Sequence, residues 1–346
     1  MSTARRTAAA AVVAGGGLLL ARRRAAAVRS AAVQSAALPS AVPPVAAPAL
    51  VGRPSTVLTE DGVALAVVEH GALEPSATVV LAHGYIQSSA LWAGQVRDLV
   101  DTRPDLKVVV YDHRGHGRSG ATGRERATIQ QLGRDLARVI DAVAPTGPVI
   151  VGGHSMGGMT IMALAEEHPE LFETRIVGAA LVGTSSGGLA AVTYGLPAPV
   201  AALVRRALPR LNERAVTAEL AGKQRKVGAL DARMIFPRGA DKTLVQQALE
   251  VHRACSAETV AAFLGTFSDH DRLRALAVLA KVETLVVVGD RDLLCPIEHS
   301  HAMARALPDG ELVIYPGVGH MVHLERRDEV SRKLVALVDR AQSRAA

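Results

Sequence analysis

Short apolar runs alternate with longer segments of helical periodicity along the chain from about residue 55 onward. This alternation is typical of parallel strands joined by helices. The predicted strands are Ser55–Leu58, Ala64–His70, Thr78–Ala82, Lys107–Tyr111, Pro148–Gly152, Ile176–Val182, Thr284–Val288 and Glu311–Tyr315. The predicted helices are Ala90–Val100, Ile129–Val143, Met156–Glu167, Ile297–Ala306 and Asp328–Arg344. The pattern predicts an α/β fold with a doubly wound, mostly parallel eight-stranded sheet and helices on both faces.

One interval interrupts this alternation. Between Gly187 and Ala280 the sequence contains helical stretches, among them Val200–Leu208 and Glu213–Gln224, but no convincing strand. An insertion that leaves an α/β sheet after a strand lies over the carboxyl edge, where such folds bind ligands. We therefore expect an inserted helical cap. The predicted divisions are an arm and linker at 1–54, a core at 55–186 and 281–346, and the cap at 187–280.

The net charge of +6 comes from the arm alone. Residues 1–52 contain six arginines and no Asp, Glu or Lys, so the remainder of the chain is neutral overall. A neutral body gives no support to nucleic-acid binding. Two cysteines, Cys255 and Cys295, are too few for a disulfide framework and form no C-x-x-C pair.

The arm has three interpretations. Arg5-Arg6 precedes an apolar stretch over residues 7–21, and Arg22-Arg23-Arg24 comes directly after it. The stretch is short for a membrane-spanning helix, and positive charge on its far side opposes export of the downstream chain. A membrane anchor facing the cytoplasm, a signal peptide and a disordered leader all remain open. We expect a cytoplasmic or cytoplasm-facing protein that can associate with a membrane through residues 1–30, with secretion less favoured.

The candidate chemistry centres on Ser155. It lies in Gly153-His154-Ser155-Met156-Gly157, after a predicted strand and before a predicted helix. A sharp strand-to-helix turn through a serine lifts its hydroxyl clear of the sheet, and glycines on both sides allow the close backbone approach. Serine needs a base to take its proton and an acid to orient that base. Candidates occur in this order, in Gly289-Asp290-Arg291-Asp292 after the seventh strand and Gly319-His320 after the eighth.

These motifs resemble those of α/β-hydrolase fold enzymes of the serine esterase and lipase type, with a softer similarity to actinobacterial members. The resemblance covers about residues 55–342. It rests on His83-Gly84-Tyr85, on Tyr111 through Ser119 and on the segments around Ser155, Asp292 and His320. The family pattern implies Ser155 as nucleophile, His320 as base and Asp292 as acid. Asp290 is the alternative acid and His323 the alternative base.

The same resemblance implies an oxyanion hole made of two backbone N–H groups, from Tyr85 and Met156. No cofactor and no metal are expected. Gly115–Gly120 formally matches G-x-G-x-x-G, but no helix is predicted to begin after it, and the family pattern implies a structural loop there. His299 and His301 lack the i, i+4 spacing of a helical zinc pair.

The expected activity is hydrolysis of a small-molecule carboxylic ester or lipid through an acyl-enzyme. The cap sequence has many Ala, Leu and Val and few aromatic residues, which predicts an aliphatic acyl pocket. Three alternatives use the same triad, namely cofactor-free haloperoxidase-like perhydrolysis, hydrolysis of C–C bonds and peptidase activity. A non-catalytic protein that binds a hydrophobic ligand is a further alternative.

Overall fold

A computed structural model of the chain describes residues 52–345 and contains the predicted eight-stranded sheet. The strands are β1 Arg53–Leu58, β2 Ala64–Gly71, β3 Ala77–Ala82, β4 Leu106–Tyr111, β5 Val149–His154, β6 Ile176–Val182, β7 Glu283–Gly289 and β8 Glu311–Tyr315. Their order is β1-β2-β4-β3-β5-β6-β7-β8. Strand β2 runs antiparallel to both neighbours, and all pairs from β4 to β8 are parallel. The predicted fold class is confirmed.

Twelve α-helices occur within residues 52–345. They are α1 Ala93–Thr102, α2 Ile129–Val143, α3 Met156–Glu167, α4 Leu171–Thr174, α5 Ala198–Leu220, α6 Ala229–Ile235, α7 Lys242–Ala254, α8 Ala257–Leu264, α9 Leu276–Leu279, α10 Ile297–Ala306, α11 Val322–Glu325 and α12 Arg327–Ala345. Every helix predicted for the core is present, with ends that differ by a few residues.

The core consists of two apolar layers, one on each face of the sheet. On β3, Val79 and Leu81 face the layer built with α1 and α12, whereas Val80 and Ala82 face the layer built with α2 and α3. All six residues of β3 are buried, as expected for a parallel strand covered on both faces. Apolar side chains that face alternate sides of each strand are thus covered by helices on both faces of the sheet. The carboxyl ends of the parallel strands meet at one edge.

Helix α2 illustrates how the sequence sets a core helix. The hydroxyl of Thr128 accepts the N–H of Gln131 at 3.1 Å, which caps the helix. Buried residues then recur at helical spacing, and α2 packs against α3. At the contact, a Cβ on Gly133 would lie 2.8 Å from the backbone of Ala163, so only glycine permits this approach. The α2–α3 contact fixes the helix that begins after Ser155.

Between β6 and β7 the described chain forms helices α5 to α9 and no strand. Helix α5 runs without a break through Pro209, so the predicted helical stretches Val200–Leu208 and Glu213–Gln224 belong to one helix, which ends at Leu220. Proline at this exposed position removes one helical N–H bond, and the flanking turns continue the helix. The segment touches loops at the carboxyl edge, where Thr259 Oγ1 donates to Gly115 O at 2.8 Å. The numerical division into arm, core and cap stays a prediction.

Within residues 52–345, no helix has the length and apolar character needed to cross a membrane. The interpretations of residues 1–30 and of the rest of the arm concern residues outside the described range. They stay predictions from the sequence.

A buried arginine links three elements of the core. Arg114, in the loop after β4, donates to both carboxylate oxygens of Asp135 on α2, at 2.6 and 2.7 Å. It also donates to both oxygens of Asp61 in the β1–β2 turn, at 2.8 and 2.9 Å. The Arg114 side chain is fully buried. Since each carboxylate is bound in a bidentate manner, this arginine fixes the hairpin turn, the β4 loop and α2 relative to one another.

Replacing Arg114 with Met leaves two carboxylates at this site without a counter-charge. Loss of one partner of a buried ion pair typically costs about 3–5 kcal/mol, so we expect the free energy of unfolding in urea to fall by about that amount. Arg124→Ala is the control, since Arg124 and Glu213 form an exposed ion pair worth about 0–1 kcal/mol. Equal effects of the two substitutions would contradict the role given to Arg114.

Candidate active site

Ser155 occupies a strained turn between β5 and α3. Its backbone has φ 51° and ψ −115°, a conformation that non-glycine residues seldom adopt. Its N–H donates to Val182 O at 2.9 Å, which ties the turn to the end of β6. A Cβ on Gly153 would lie 2.3 Å from the carbonyl of Gly157, and a Cβ on Gly157 would lie 2.2 Å from Ala82 O. The glycines flanking Ser155 are therefore required by space, as the sequence predicts.

The loops after β7 and β8 bring Asp292 and His320 together. His320 Nδ1 donates to Asp292 Oδ2 at 2.8 Å, and both side chains are almost fully buried. Asp292 Oδ1 accepts the N–H groups of Leu294 and Cys295 at 2.8 and 2.9 Å. A carboxylate held in this way fixes the imidazole tautomer with its proton on Nδ1, so Nε2 keeps a lone pair for accepting a proton.

The two alternative residues have other contacts. Asp290 Oδ1 accepts the N–H of Gly317 at 2.7 Å and so orders the loop after β8. The ring of His323 packs against Trp92 and His154, with centroids 4.7 and 4.3 Å apart. Burial lowers the pKa of His323 to about 3, and neither ring nitrogen has a hydrogen-bond partner within residues 52–345. These contacts favour Asp292 and His320 over their alternatives.

Two backbone N–H groups near the Ser155 turn have no acceptor within residues 52–345. Met156 begins helix α3, so its N–H has no partner within the helix. Tyr85 lies in the turn after β3, and within residues 52–345 its N–H donates to no acceptor. The close approach of Gly157 to Ala82 O brings the start of α3 against the end of β3. The free N–H groups and the helix N-terminus favour negative charge beside Ser155.

Comparisons with known proteins agree with this geometry. A family model described as "Serine aminopeptidase, S33" matches residues 73–327. The chain belongs to this α/β-hydrolase family. A curated relative, monoacylglycerol lipase of Mycolicibacterium smegmatis, is 29% identical over 269 residues, which cover 76% of the chain and 86% of the lipase.

Another curated relative of this α/β-hydrolase is the dihydrolipoyllysine-residue acetyltransferase component of an acetoin cleaving system from Pseudomonas putida. It is 27% identical, and the match spans 77% of the chain but only 64% of that relative. An esterase structure from Thermogutta terrifontis is similar with a TM-score of 0.67 at 24% identity, covering 84% of the chain and 99% of the esterase. An esterase from Exiguobacterium antarcticum gives 0.68 at 20% identity, covering 82% and 99%. These structural similarities establish the shared fold.

Three buried histidines support the α/β-hydrolase loop that carries Tyr85, and their arrangement was not foreseen from the sequence. His83 Nε2 accepts the N–H of His113 at 2.9 Å, and its Nδ1 donates to Gly84 O at 2.7 Å. The ring of His116 lies against that of His83 at 5.3 Å. Burial lowers the pKa of all three, to about 3 for His116, so the rings are neutral. Their interlocking fits the structural role implied for Asp112 through Gly120.

Asp292, Cys295 and His320 form a group of potential metal ligands whose donor atoms lie within 4.8 Å of one another. The contacts do not suit a metal. Asp292 accepts three hydrogen bonds, one of them from the His320 nitrogen that faces it. Burial and the Asp292 charge raise the pKa of the Cys295 thiol well above its usual value, so the thiol keeps its proton. The group is better described as a hydrogen-bonded acid–base pair beside a packed thiol.

The helical segment between β6 and β7 covers the site. Ser155 exposes 9% of its surface and His320 exposes 3%. The carbonyl of Ile235, at the end of α6, accepts the N–H groups of His320 and Met321 at 3.0 and 3.3 Å. The phenol of Tyr85 donates to Val260 O on α8. The inserted helices therefore bind directly to the loops of both His320 and Tyr85.

Glu325 forms a hydrogen bond with the loop that carries His320. Its Oε1 accepts the N–H of Gly319 at 2.9 Å. Burial raises the pKa of Glu325 to about 7, and the negative charge of Asp292 acts in the same direction. Between its usual pKa of 4.5 and pH 7, the folded protein holds a proton that the unfolded chain has released. The stability contributed by the protonated carboxyl is thus present in acid and is lost as the pH rises through 7.

Glu325→Gln keeps an acceptor for Gly319 but cannot ionise. We expect the melting temperatures of the variant and the parent to be closest near pH 4.5, the variant to become increasingly the more stable of the two as the pH rises to about 7, and the difference to level off above that. Thermal unfolding between pH 4.5 and 8.5 measures this difference. Glu60→Gln, at an exposed turn, is the control for the loss of one carboxylate. A pH-independent difference for Glu325→Gln would rule out the proposed titration.

Proposed function

We propose that this α/β-hydrolase cleaves carboxylic esters through an acyl-enzyme on Ser155. The observation that carries the proposal is the combination of a strained serine at a helix N-terminus with a buried Asp292–His320 pair. A strained backbone and buried ionisable side chains lower the stability of the folded protein. They are found at sites whose chemistry requires them. A protein that only bound a hydrophobic ligand would need none of them.

In the acylation step, His320 Nε2 takes the proton of the Ser155 hydroxyl as the oxygen attacks the ester carbon. The tetrahedral oxyanion accepts hydrogen bonds from the N–H groups of Tyr85 and Met156. Asp292 stabilises the imidazolium and keeps its orientation. The imidazolium then gives its proton to the alcohol oxygen, the C–O bond breaks and the alcohol leaves.

In the deacylation step, the same groups act on water. His320 removes a proton from a water molecule, which attacks the acyl carbon, and the oxyanion forms again at the N–H groups of Tyr85 and Met156. The proton returns to Ser155 Oγ as the acid is released. No cofactor takes part in this scheme, and the substrate is a small molecule.

The activities of the relatives support an ester substrate without fixing it. The Mycolicibacterium relative is a monoacylglycerol lipase and two structural neighbours are esterases. Others are putative carbamate hydrolases and a bromoperoxidase. Perhydrolysis, C–C bond hydrolysis and peptide hydrolysis use the same serine, and they serve as alternative outcomes of the substrate assays. Location facing the cytoplasm and membrane contact through residues 1–30 are proposals that rest on the arm sequence.

Ser155→Ala removes the nucleophile. We expect kcat for ester hydrolysis to fall by about 10⁵-fold or more, together with loss of labelling by a fluorophosphonate probe. Asp292→Asn should lower kcat by about 10⁴-fold, because the amide favours the wrong imidazole tautomer. Steady-state rates with a chromogenic ester measure both effects.

The alternative acid supplies a matched control. Asp290→Asn is expected to stay within about threefold of the parent rate, because Asp290 contacts backbone and not His320. A wild-type rate for Ser155→Ala would disprove the proposed nucleophile. If Asp290→Asn lost more activity than Asp292→Asn, the assignment of the acid would be wrong.

The acyl group is expected to be aliphatic. Met156, Met159 and Phe263 pack in one apolar cluster beside Ser155, with Leu189 and Phe267 partly buried against it. Each buried methylene contributes about 0.8 kcal/mol, or about fourfold in kcat/KM. For p-nitrophenyl esters of increasing acyl chain length, starting from acetate, we expect kcat/KM to rise by this factor with each added methylene until the pocket is full. A preference for charged or aromatic acyl groups would contradict this pocket.

A further inference from the structure

Two buried side chains that take no part in the proposed mechanism lie between the three loops of the site. Gln87 comes after the turn that carries Tyr85, and His154 directly precedes Ser155. Gln87 is 3% exposed and His154 is fully buried. Their polar atoms therefore have only protein partners, and the partners that they contact belong to loops far apart in sequence.

Gln87 links the Tyr85 turn to the His320 loop. Its Oε1 accepts the N–H of Gly84 at 2.9 Å. Its Nε2 donates to Met321 Sδ at 3.4 Å. The first bond holds the His83–Gly84 peptide, which directly precedes the peptide that carries the Tyr85 N–H, and the second contacts the residue after His320. The Gln87 amide thus contacts both the turn that carries the Tyr85 N–H, which is proposed for the oxyanion hole, and the loop that carries His320, the proposed base.

His154 links the Ser155 turn to the same loop. Its Nε2 lies 2.9 Å from His320 O, and its Nδ1 lies 3.1 Å from Gln87 Oε1. The ring packs against the rings of His320 and His323, with centroids 4.7 and 4.3 Å apart. The backbone of His320 is therefore held by the last residue of β5, directly before Ser155.

The surroundings of His154 determine its protonation. Burial, reinforced by the nearby rings of His323 and His320, lowers the pKa of His154 well below its usual value. The neutral ring has one proton, and the carbonyl of His320 can only accept. The shorter of the two contacts, 2.9 Å from Nε2 to His320 O, places the proton on Nε2. Nδ1 then has a lone pair that faces Gln87 Oε1 at 3.1 Å, so this contact between the two side chains is steric and not a hydrogen bond.

We propose that Gln87 and His154 act together as positioning residues, which keep the N–H of Tyr85 and the imidazole of His320 aligned with Ser155. This inference rests on the proposed ester hydrolysis. It assigns no chemical step to either residue. Displacement of a catalytic group by about 1 Å can cost about 100-fold in rate, so small shifts of either loop are expected to lower kcat.

Gln87→Met fills similar space but removes both polar contacts. We expect kcat to fall by about 10- to 100-fold with KM within about threefold, since the acyl pocket is unchanged. Gln87→Glu keeps an acceptor for the Gly84 N–H but cannot donate to Met321 Sδ, so we expect it to lose kcat by a similar factor. If Gln87→Met does not fold, Gln87→Asn, whose shorter amide cannot reach both partners, has the same expected loss.

Gln95→Met is the matched control. Gln95 is also fully buried and its Nε2 donates to His323 O at 2.6 Å, but it does not contact the Tyr85 turn. We expect the control to lose thermal stability while keeping kcat. An equal fall in kcat for Gln95→Met and Gln87→Met at equal stability would overturn the inference, as would an unchanged kcat for Gln87→Met.

A double-mutant cycle tests whether the two residues act together. His154→Phe keeps a ring but removes the donor to His320 O. If the two residues act as one unit, kcat of the double variant Gln87→Met/His154→Phe should fall about as far as that of the more damaging single variant. Losses that multiply would show two independent effects and overturn the joint role. Failure of the proposed function is distinguishable, because it would appear as activity in Ser155→Ala whatever Gln87 does.

Discussion

The left-handed backbone of Ser155 is the constraint on which the site depends. Such a conformation costs of order 1–3 kcal/mol for a residue with a side chain. It is held by the bond from Ser155 N–H to Val182 O and by the packing of α3 on α2. Gly153 and Gly157 leave the space that the turn requires. Because the turn is fixed from both sides, the hydroxyl has a defined position toward which the other groups can be directed.

The parallel sheet explains why groups distant in sequence converge on that position. The carboxyl ends of β3, β5, β7 and β8 lie at one edge, and each leads into a loop that supplies one part of the site. Asp292 and His320 become a buried pair because β7 and β8 are neighbours. The Arg114 cluster fixes the hairpin turn and α2 behind the β4 loop. The geometry of the candidate site thus depends on strand order as much as on residue type.

Sequence patterns were sufficient to predict the strands and the core helices, and they single out Asp292 and His320, which the structure places in contact. Apolar periodicity locates strands, and the spacing of Gly153, Ser155 and Gly157 reports a local turn, so both can be inferred from neighbouring residues. The contacts of Gln87 and His154 could not be inferred, because their partners lie on loops up to 234 residues away. The pairing of Arg114 with Asp61 and Asp135 could not be inferred either, because these residues too are distant in sequence. Helix α5 also continued through Pro209, since local propensity alone does not decide whether a helix ends.

The bond between the Ile235 carbonyl and the N–H of His320 joins the inserted helices to the proposed base. Ser155 is 9% exposed in this arrangement, so in the proposed mechanism a substrate reaches it when these helices move. In the proposed mechanism, a substrate that fits would leave the Ile235–His320 bond intact, whereas an oversized one would displace α6 and the imidazole with it. Discrimination among substrates would then be expressed in turnover more than in binding, as in enzymes that work by induced fit.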